Sequence, residues 1–240
     1  MADQFSRVAL LLGQEGVARL CRAHVAVFGV GGVGGYVCEA LARSGVGAFT
    51  LVDNDEVSLT NINRQIIALH STVGRPKAEV MRERILDINP EARVTVRQCF
   101  LLPDNQDTFD FSAYDYVVDA IDTVAAKVVL AVRCREAGVP LIASMGAGNR
   151  LDGSRFRVTD LFETSGDPLA RTMRHELRKL GIDHLKVVCS DEPARTPRSG
   201  ETEEPLPPGK RTLPGSAAFA VPVAGLLLAG QVVRDLCGIE

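Results

Sequence analysis

The sequence predicts an α/β domain built on a mostly parallel sheet with flanking helices. Three observations carry that expectation. Strand-like and helix-like segments alternate over residues 1–150. A glycine-rich turn sits directly between the first strand and the helix after it. Hydrophobic residues make up 46% of the 240 positions, enough to bury one sizeable core.

The elements follow in order. Residues 24–30 are a β-branched, apolar run that leads into glycines. Residues 33–43 have helical spacing, with Val33, Val37, Ala40 and Leu41 on one face. Residues 48–53 read as the next strand. In 77–89, Ala78, Met81, Ile85 and Ile88 recur at helical spacings, and Pro90 ends the helix. Residues 93–99 alternate like a strand. A buried strand at 116–121, a helix at 124–137 that stops at Gly138, and a strand at 140–144 complete a Rossmann-like half.

After Gly148 the rhythm loosens. Residues 155–161 and 184–190 read as strands, with a helix between them at 168–180. Residues 192–214 are rich in proline, glycine and charge without an apolar period, so a mobile crossover loop is expected there. The most apolar stretch, 217–233, carries Pro222 and Gln231 and reads as a buried helix rather than a membrane span. One domain is therefore expected over 1–240. Residues 1–150 form its Rossmann-like part, and 151–240 form a C-terminal extension.

Composition narrows the function. A net charge of −3 does not advertise a nucleic-acid coat, although a local basic face is compatible with it. The six cysteines, Cys21, Cys38, Cys99, Cys134, Cys189 and Cys237, contain no Cys-x-x-Cys pair. Structural zinc is not expected, and scattered reduced thiols together with no signal-like N-terminus point to the cytoplasm. Cys189 sits near a strand end and is read as a buried or incidental thiol.

The turn Gly29-Val30-Gly31-Gly32-Val33-Gly34 lets backbone approach phosphate oxygens, and the helix behind it adds a positive dipole and free N–H groups. Asp53 ends the second strand, where a carboxylate would hold ribose hydroxyls. These features fit NAD, FAD or ATP equally. Asn61-Ile62-Asn63-Arg64-Gln65 then follows in a polar loop, and Lys77 opens a helix. A cation there meets the positive end of the dipole, at a cost of about a few tenths of a kcal/mol, and a ligand anion would reverse that sign. Arg64 and Lys77 together suit a polyphosphate. Asp122 lies just past a strand's C-terminal end and suits magnesium beside a triphosphate. The alternative for Asp122 or Thr123 is a plain N-cap of the helix at 124.

Taken together, the glycine turn, Asp53, Asn61-x-x-Arg64-Gln65, Lys77 and Asp122 resemble the ubiquitin-activating-enzyme-like superfamily (ThiF, MoeB and HesA). Within it, the chain is similar to the tRNA threonylcarbamoyladenosine dehydratases. That likeness rests on Phe5-Ser6-Arg7, Leu11-Leu12-Gly13, Asn61-Ile62-Asn63-Arg64-Gln65-Ile66, Asp119-Ala120-Ile121-Asp122-Thr123 and Ser144-Met145-Gly146-Ala147-Gly148-Asn149. Asp167-Pro168-Leu169-Ala170, Gly215-Ser216-Ala217-Ala218-Phe219 and Pro222-Val223-Ala224-Gly225 extend it to the C-terminal half.

The resemblance implies an ATP-dependent enzyme. It would activate the carboxylate of threonylcarbamoyladenosine in tRNA as an acyl-adenylate and close a ring with formal loss of water. By position, Gly29, Gly31, Gly32, Gly34, Asp53, Asn61 and Gln65 would hold the nucleotide. Arg64 and Lys77 would neutralise the triphosphate, and Asp122 would position Mg2+. Arg7 would reach the neighbouring subunit's nucleotide in a homodimer. The resemblance further admits a monovalent cation (Na+ or K+) and a sulfur-transfer partner of the cysteine-desulfurase type.

For tRNA, residues 168–186 hold Arg171, Arg174, Arg178, Lys179 and Lys186 against Glu176 and Asp183, with His175 and His184 among them and Arg150, Arg155 and Arg157 just before. With no Trp and three Tyr, base stacking has little to draw on, so phosphate contacts would carry affinity. Other readings are an adenylyltransferase for a ubiquitin-like sulfur carrier, an NAD oxidoreductase in which Arg64, Lys77 and Asp122 have no task, and a catalytically silent nucleotide-binding scaffold.

Overall fold

Apolar and β-branched runs become strands where the sequence predicts them; β1 gives way at Gly29 and β2 at Asp53. The computed structural model describes residues 3–198 and 213–239. In chain order the elements are α1 (Ser6–Arg22), β1 (His24–Phe28), α2 (Gly34–Ser44), β2 (Ala48–Val52), α3 (Lys77–Ile88), β3 (Arg93–Arg97), β4 (Tyr116–Asp119), α4 (Val124–Ala137), β5 (Leu141–Ser144), β6 (Phe156–Asp160), α5 (Pro168–Lys179), β7 (Lys186–Ser190) and α6 (Val221–Cys237). Within the loop expected at 192–214, residues 199–212 lie outside the described residues. Residues 192–198 and 213–214 carry neither helix nor strand.

The seven strands form one sheet in the order β3-β2-β1-β4-β5-β7-β6. All neighbours run parallel except the edge pair β6 and β7. Strands β1, β2 and β3 build outward in one direction, and β4 onward in the other. Where the order reverses, β1 lies beside β4, with Phe28 opposite Asp119. At such a switch point the two flanking connections leave in opposite directions and open a crevice beyond the strand C-termini.

Helices cover both faces. On one, Leu41 of α2 and Leu228 of α6 join Val25, Val27 and Val118 in the larger core cluster. On the other, Phe28 packs with Phe109, Phe111 and Leu130. Helix α6 is the buried helix expected near the C-terminus, but it starts at Val221. Pro222 falls in its first turn, where a missing N–H costs nothing. Gly225 brings α6 against α2: a Cβ there would stand 2.4 Å from the Val33 carbonyl oxygen. Asp235 then ties α6 to the sheet, accepting from Tyr116 Oη (2.6 Å), Lys186 Nζ (2.7 Å) and Gln231 Nε2 (2.8 Å). Partial burial alone would raise the Asp235 carboxyl, but these donors hold it below the usual carboxylate range. Among the described residues no helix is long and apolar enough to cross a membrane.

The expected basic face is thinner than the sequence suggests. Arg150 is no surface residue: it is 2% exposed and donates to Asp167 Oδ2 (3.2 Å) and the Glu192 carbonyl. Arg174 turns inward to Thr164, Lys186 belongs to Asp235, and Arg155 and Arg157 are held by Asp191. Arg171, Arg178 and Lys179 remain exposed on α5, with Lys179 paired to Glu176 (2.9 Å). The reason is ordinary pairing: each missing cation lies beside a carboxylate or carbonyl that the fold brings from a distant segment.

Candidate functional site

A cleft of about 520 Å³ opens at the switch point. Its floor is the glycine turn. Gly29 has φ +87°, a left-handed conformation that favours glycine, and its N–H bonds to the Val52 carbonyl (2.8 Å). A Cβ on Gly29 would meet the Ala120 carbonyl oxygen at 2.7 Å, so the loops after β1 and β4 touch through it. Gly31 and Gly32 line the cleft. Gly34 does not. Its role is packing, because a Cβ would sit 1.8 Å from the Gly29 carbonyl oxygen. Gly34→Ala therefore forces backbone apart at a cost of about 3 kcal/mol, the upper end for overpacking. A lowered urea midpoint and lost nucleotide binding are expected; an unchanged midpoint would refute this packing argument.

Asp53 lies beside the floor. Its Oδ2 accepts the Val30 N–H (2.6 Å) and its Oδ1 the Asp55 N–H (2.8 Å), so the carboxylate fixes the glycine turn as well as facing the cleft. Burial raises its carboxyl above the usual range, against those two hydrogen bonds and the nearby Lys77 charge. Lys77 is the first residue of α3 and is 7% exposed. Residues 54–57 and 74–77 run antiparallel beside each other, with Lys77 N bonded to the Asp55 carbonyl (2.9 Å). That clamp points the ammonium into the cleft, where Nζ meets Asp55 Oδ2 at 2.7 Å. Asp55 is a partner that the sequence reading missed.

Arg64 and Gln65 enter the cleft from the polar loop after β2. Asn61 does not line the cleft; it is the buried last residue of a short 3-10 turn, Leu59–Asn61. Its Oδ1 accepts from Ser58 N (3.3 Å), and its carbonyl accepts the N–H groups of Arg64 and Gln65 (3.1 and 2.9 Å). Asn61 therefore positions the two residues that reach the cleft. Arg64 Nη1 donates to the Thr60 carbonyl (3.1 Å) and to Asn63 Oδ1 (2.9 Å). Gln65 Oε1 is buried and has no hydrogen-bond partner among the described residues.

Asp122 stands exposed at the rim, after β4. Thr123 takes the N-cap position of α4 without a side-chain capping bond of its own, and its hydroxyl donates to Asp122 Oδ1 (3.4 Å). Beneath this loop Lys127 and Asp119 form a fully buried pair (3.1 Å). Lys127 also donates to the Ser144 carbonyl (2.7 Å), and Asp119 accepts the Ile121 N–H (3.1 Å). Cys99, Phe100, Leu101 and Leu102 supply an apolar wall that the sequence reading did not assign to the site. The signal for it was an apolar triplet placed where β3 ends on the ligand side of the sheet.

Arg7 lies exposed on α1 and does not line the cleft of its own chain. Cys189 is buried within β7, its thiol pushed up to about 11 chiefly by burial, which suits an inert thiol. Among the described residues no group of three His, Cys, Asp or Glu side chains could hold a metal ion.

Residues 5–239 match the ThiF family. This chain belongs to the ThiF family. A relative from Bacillus subtilis, named tRNA threonylcarbamoyladenosine dehydratase, is 45% identical over 98% of this chain and 95% of its own length. Two crystal structures of the Escherichia coli tRNA N6-threonylcarbamoyladenosine dehydratase, one in complex with AMP and one with ATP, superpose with TM-scores of 0.88 and 0.86. Both are 38% identical to this ThiF-family chain and cover 98% of it and 94% of their own chains. The mostly parallel sheet with flanking helices expected from the sequence is the fold these relatives share.

Proposed function

We propose that this chain is an ATP-dependent tRNA threonylcarbamoyladenosine dehydratase, as its named relatives are. One observation of the molecule supports the nucleotide reading above others: the switch-point cleft is lined by Gln65, whose buried Oε1 has no partner among the described residues, beside a glycine floor, a carboxylate and two cations. A buried acceptor without a donor is costly, and a ribose hydroxyl or amino group of a bound nucleotide would satisfy it.

Each residue then has a task. The Gly29–Gly34 turn and Asp53 hold phosphates and ribose, and Phe100 to Leu102 face the base. Arg64 and Lys77 stabilise charge on the departing pyrophosphate as the substrate carboxylate attacks the α-phosphorus. The acyl-adenylate has a good leaving group where the carboxylate had oxide. Attack from within the side chain closes the ring and expels AMP, so the enzyme's further work is to hold a near-attack geometry. The rim carboxylate of Asp122 would hold magnesium, which takes one or two carboxylates together with substrate phosphates rather than an all-protein cage. The ion would there polarise the phosphoryl oxygens.

Leu10 and Leu11, 84% and 85% exposed, sit just beyond Arg7 on α1. They favour a homodimer that buries this apolar pair and carries Arg7 toward the other subunit. Arg171 and Arg178 are exposed cations available to tRNA phosphates. A monovalent cation and a cysteine-desulfurase-type partner belong to this reading through the resemblance alone.

The test is nucleoside mass spectrometry of tRNA carrying threonylcarbamoyladenosine, incubated with the protein, ATP and magnesium. ATP-dependent loss of one water from that nucleoside is expected. Intact nucleoside beside active protein would reject the dehydratase and favour adenylation of a carrier protein's glycine tail.

A further inference from the structure

Asn63 belongs to the polar motif after β2, yet it is exposed and has no task in nucleotide binding. Its amide is nonetheless used at both ends. Oδ1 accepts Arg64 Nη1 (2.9 Å). That bond orients the amide, because an oxygen turned toward a guanidinium leaves the NH2 facing the other way. There Nδ2 donates to the Ser216 carbonyl (2.9 Å) and lies 3.2 Å from the Ser216 hydroxyl. Ser216 follows the crossover segment and is separated from Asn63 by most of the chain.

The next link is Asn149, in the loop after β5. Asn149 N donates to the Gly215 carbonyl (2.7 Å), and Gly215 N donates to Asn149 Oδ1 (2.6 Å). The Asn149 carbonyl accepts Arg195 N (2.9 Å), so one residue holds both limbs of the crossover, at 195 and at 215. Asn149 has φ +61°, the one non-glycine residue in the left-handed region among those described. Asparagine tolerates that conformation better than most side chains, and such outliers persist where surrounding bonds over-determine them. Gly148 leaves room for Pro214, whose Cβ would stand 3.1 Å from an added Cβ. Arg150, buried between Asp167 and Glu192, roots the loop beneath.

We infer that Asn63 and Asn149 are positioning residues that couple the phosphate arginine to the crossover limb 213–216. A nucleotide that draws on Arg64 is read by Asn63, and through Ser216 and Gly215 by Asn149 and the loop after β5. That loop lies at the C-terminal edge of the strand next to β4 and so flanks the cleft on the side away from Asp53. The inference rests on the proposed role of Arg64 at the triphosphate.

The experiment uses the full chain with a non-hydrolysable ATP analogue and magnesium. Calorimetry reads analogue affinity, and hydrogen exchange by mass spectrometry reads peptides covering 213–220. The analogue is expected to slow exchange there in the unsubstituted protein. Asn63→Ala removes both bonds at an exposed position. Asn149→Gly keeps the left-handed backbone but loses the side-chain acceptor for Gly215 N. Each variant should bind the analogue within about threefold of the unsubstituted protein, lose the analogue-dependent slowing, and lower kcat about tenfold with KM for ATP little changed, a loss of the kind that a small misplacement away from the chemistry causes. A purely structural role would accelerate exchange with and without the analogue alike and leave kcat unmoved. Retained slowing and kcat in both variants would overturn the coupling. Absence of analogue binding in the unsubstituted protein would instead overturn the nucleotide reading, and the coupling with it.

Discussion

Lys77→Ala is expected to lower kcat/KM for nucleoside dehydration by about 10²–10³-fold or more, the loss seen when a preorganised charge at a developing oxyanion is removed. The ammonium is 7% exposed at the first turn of α3, and its recorded partner is Asp55. A buried cation at the positive end of a helix dipole is locally unfavourable, and one carboxylate, itself 52% exposed, offsets that only in part. An incoming triphosphate completes the offset. Removing Lys77 leaves Asp55 free to hydrate, so the fold should survive with a small drop in melting temperature. Lys77→Arg should not restore full activity, because a planar guanidinium does not fit a site shaped around a compact ammonium. Single-turnover assays on folded variants check both. Near-normal turnover in Lys77→Ala would remove this residue from the chemistry.

Lys77 also shows what was legible in the sequence. The glycine turn, Asp53, Lys77 and Asp122 could be placed because each sits at a strand end or helix start, and periodicity locates those boundaries; Arg64 and Gln65, in the polar loop after β2, could be placed only through the motif they share with the family. A parallel sheet then brings its C-terminal strand ends to one edge whatever the loops contain, so residues distant in sequence could be expected in one cleft. What could not be read were partners. Asp55 looks like any loop carboxylate until the 54–57 and 74–77 segments pair. Arg150 counted as surface charge because nothing nearby in sequence marks Asp167 or Glu192 as its partners. Asn61 carries the motif's identity, but its backbone carbonyl holds Arg64 and Gln65 while its own side chain accepts from Ser58 N and does not line the cleft. Gly34 likewise belongs to the motif for a steric reason, and no ligand needs to touch it.

Lys127→Met is expected to destabilise the fold by about 3–5 kcal/mol, the cost of leaving one member of a buried ion pair uncompensated. Helix α4 gives little warning, since Lys127 sits amid Val and Ala, yet it is fully buried against Asp119 and the Ser144 carbonyl. Burial already holds the Asp119 carboxyl above the usual range, against the attraction of Lys127. Without Lys127 that shift grows. A carboxyl whose folded pKa exceeds its unfolded value binds more protons when folded, so its penalty is absent below the unfolded pKa and complete above the folded one. The deficit of Lys127→Met relative to the unsubstituted protein should therefore be smaller at pH 5 than at pH 7.5, and urea unfolding at the two values measures it. An equal deficit at both would mean that Asp119 stays ionised without its partner. The activity consequence follows from the same carboxylate: Asp119 accepts the Ile121 N–H and shapes the turn that presents Asp122. A protonated Asp119 keeps at most part of that bond. Folded Lys127→Met protein should then demand more magnesium for half-maximal turnover, while Asp119→Asn in the same background should recover stability and leave the magnesium requirement raised.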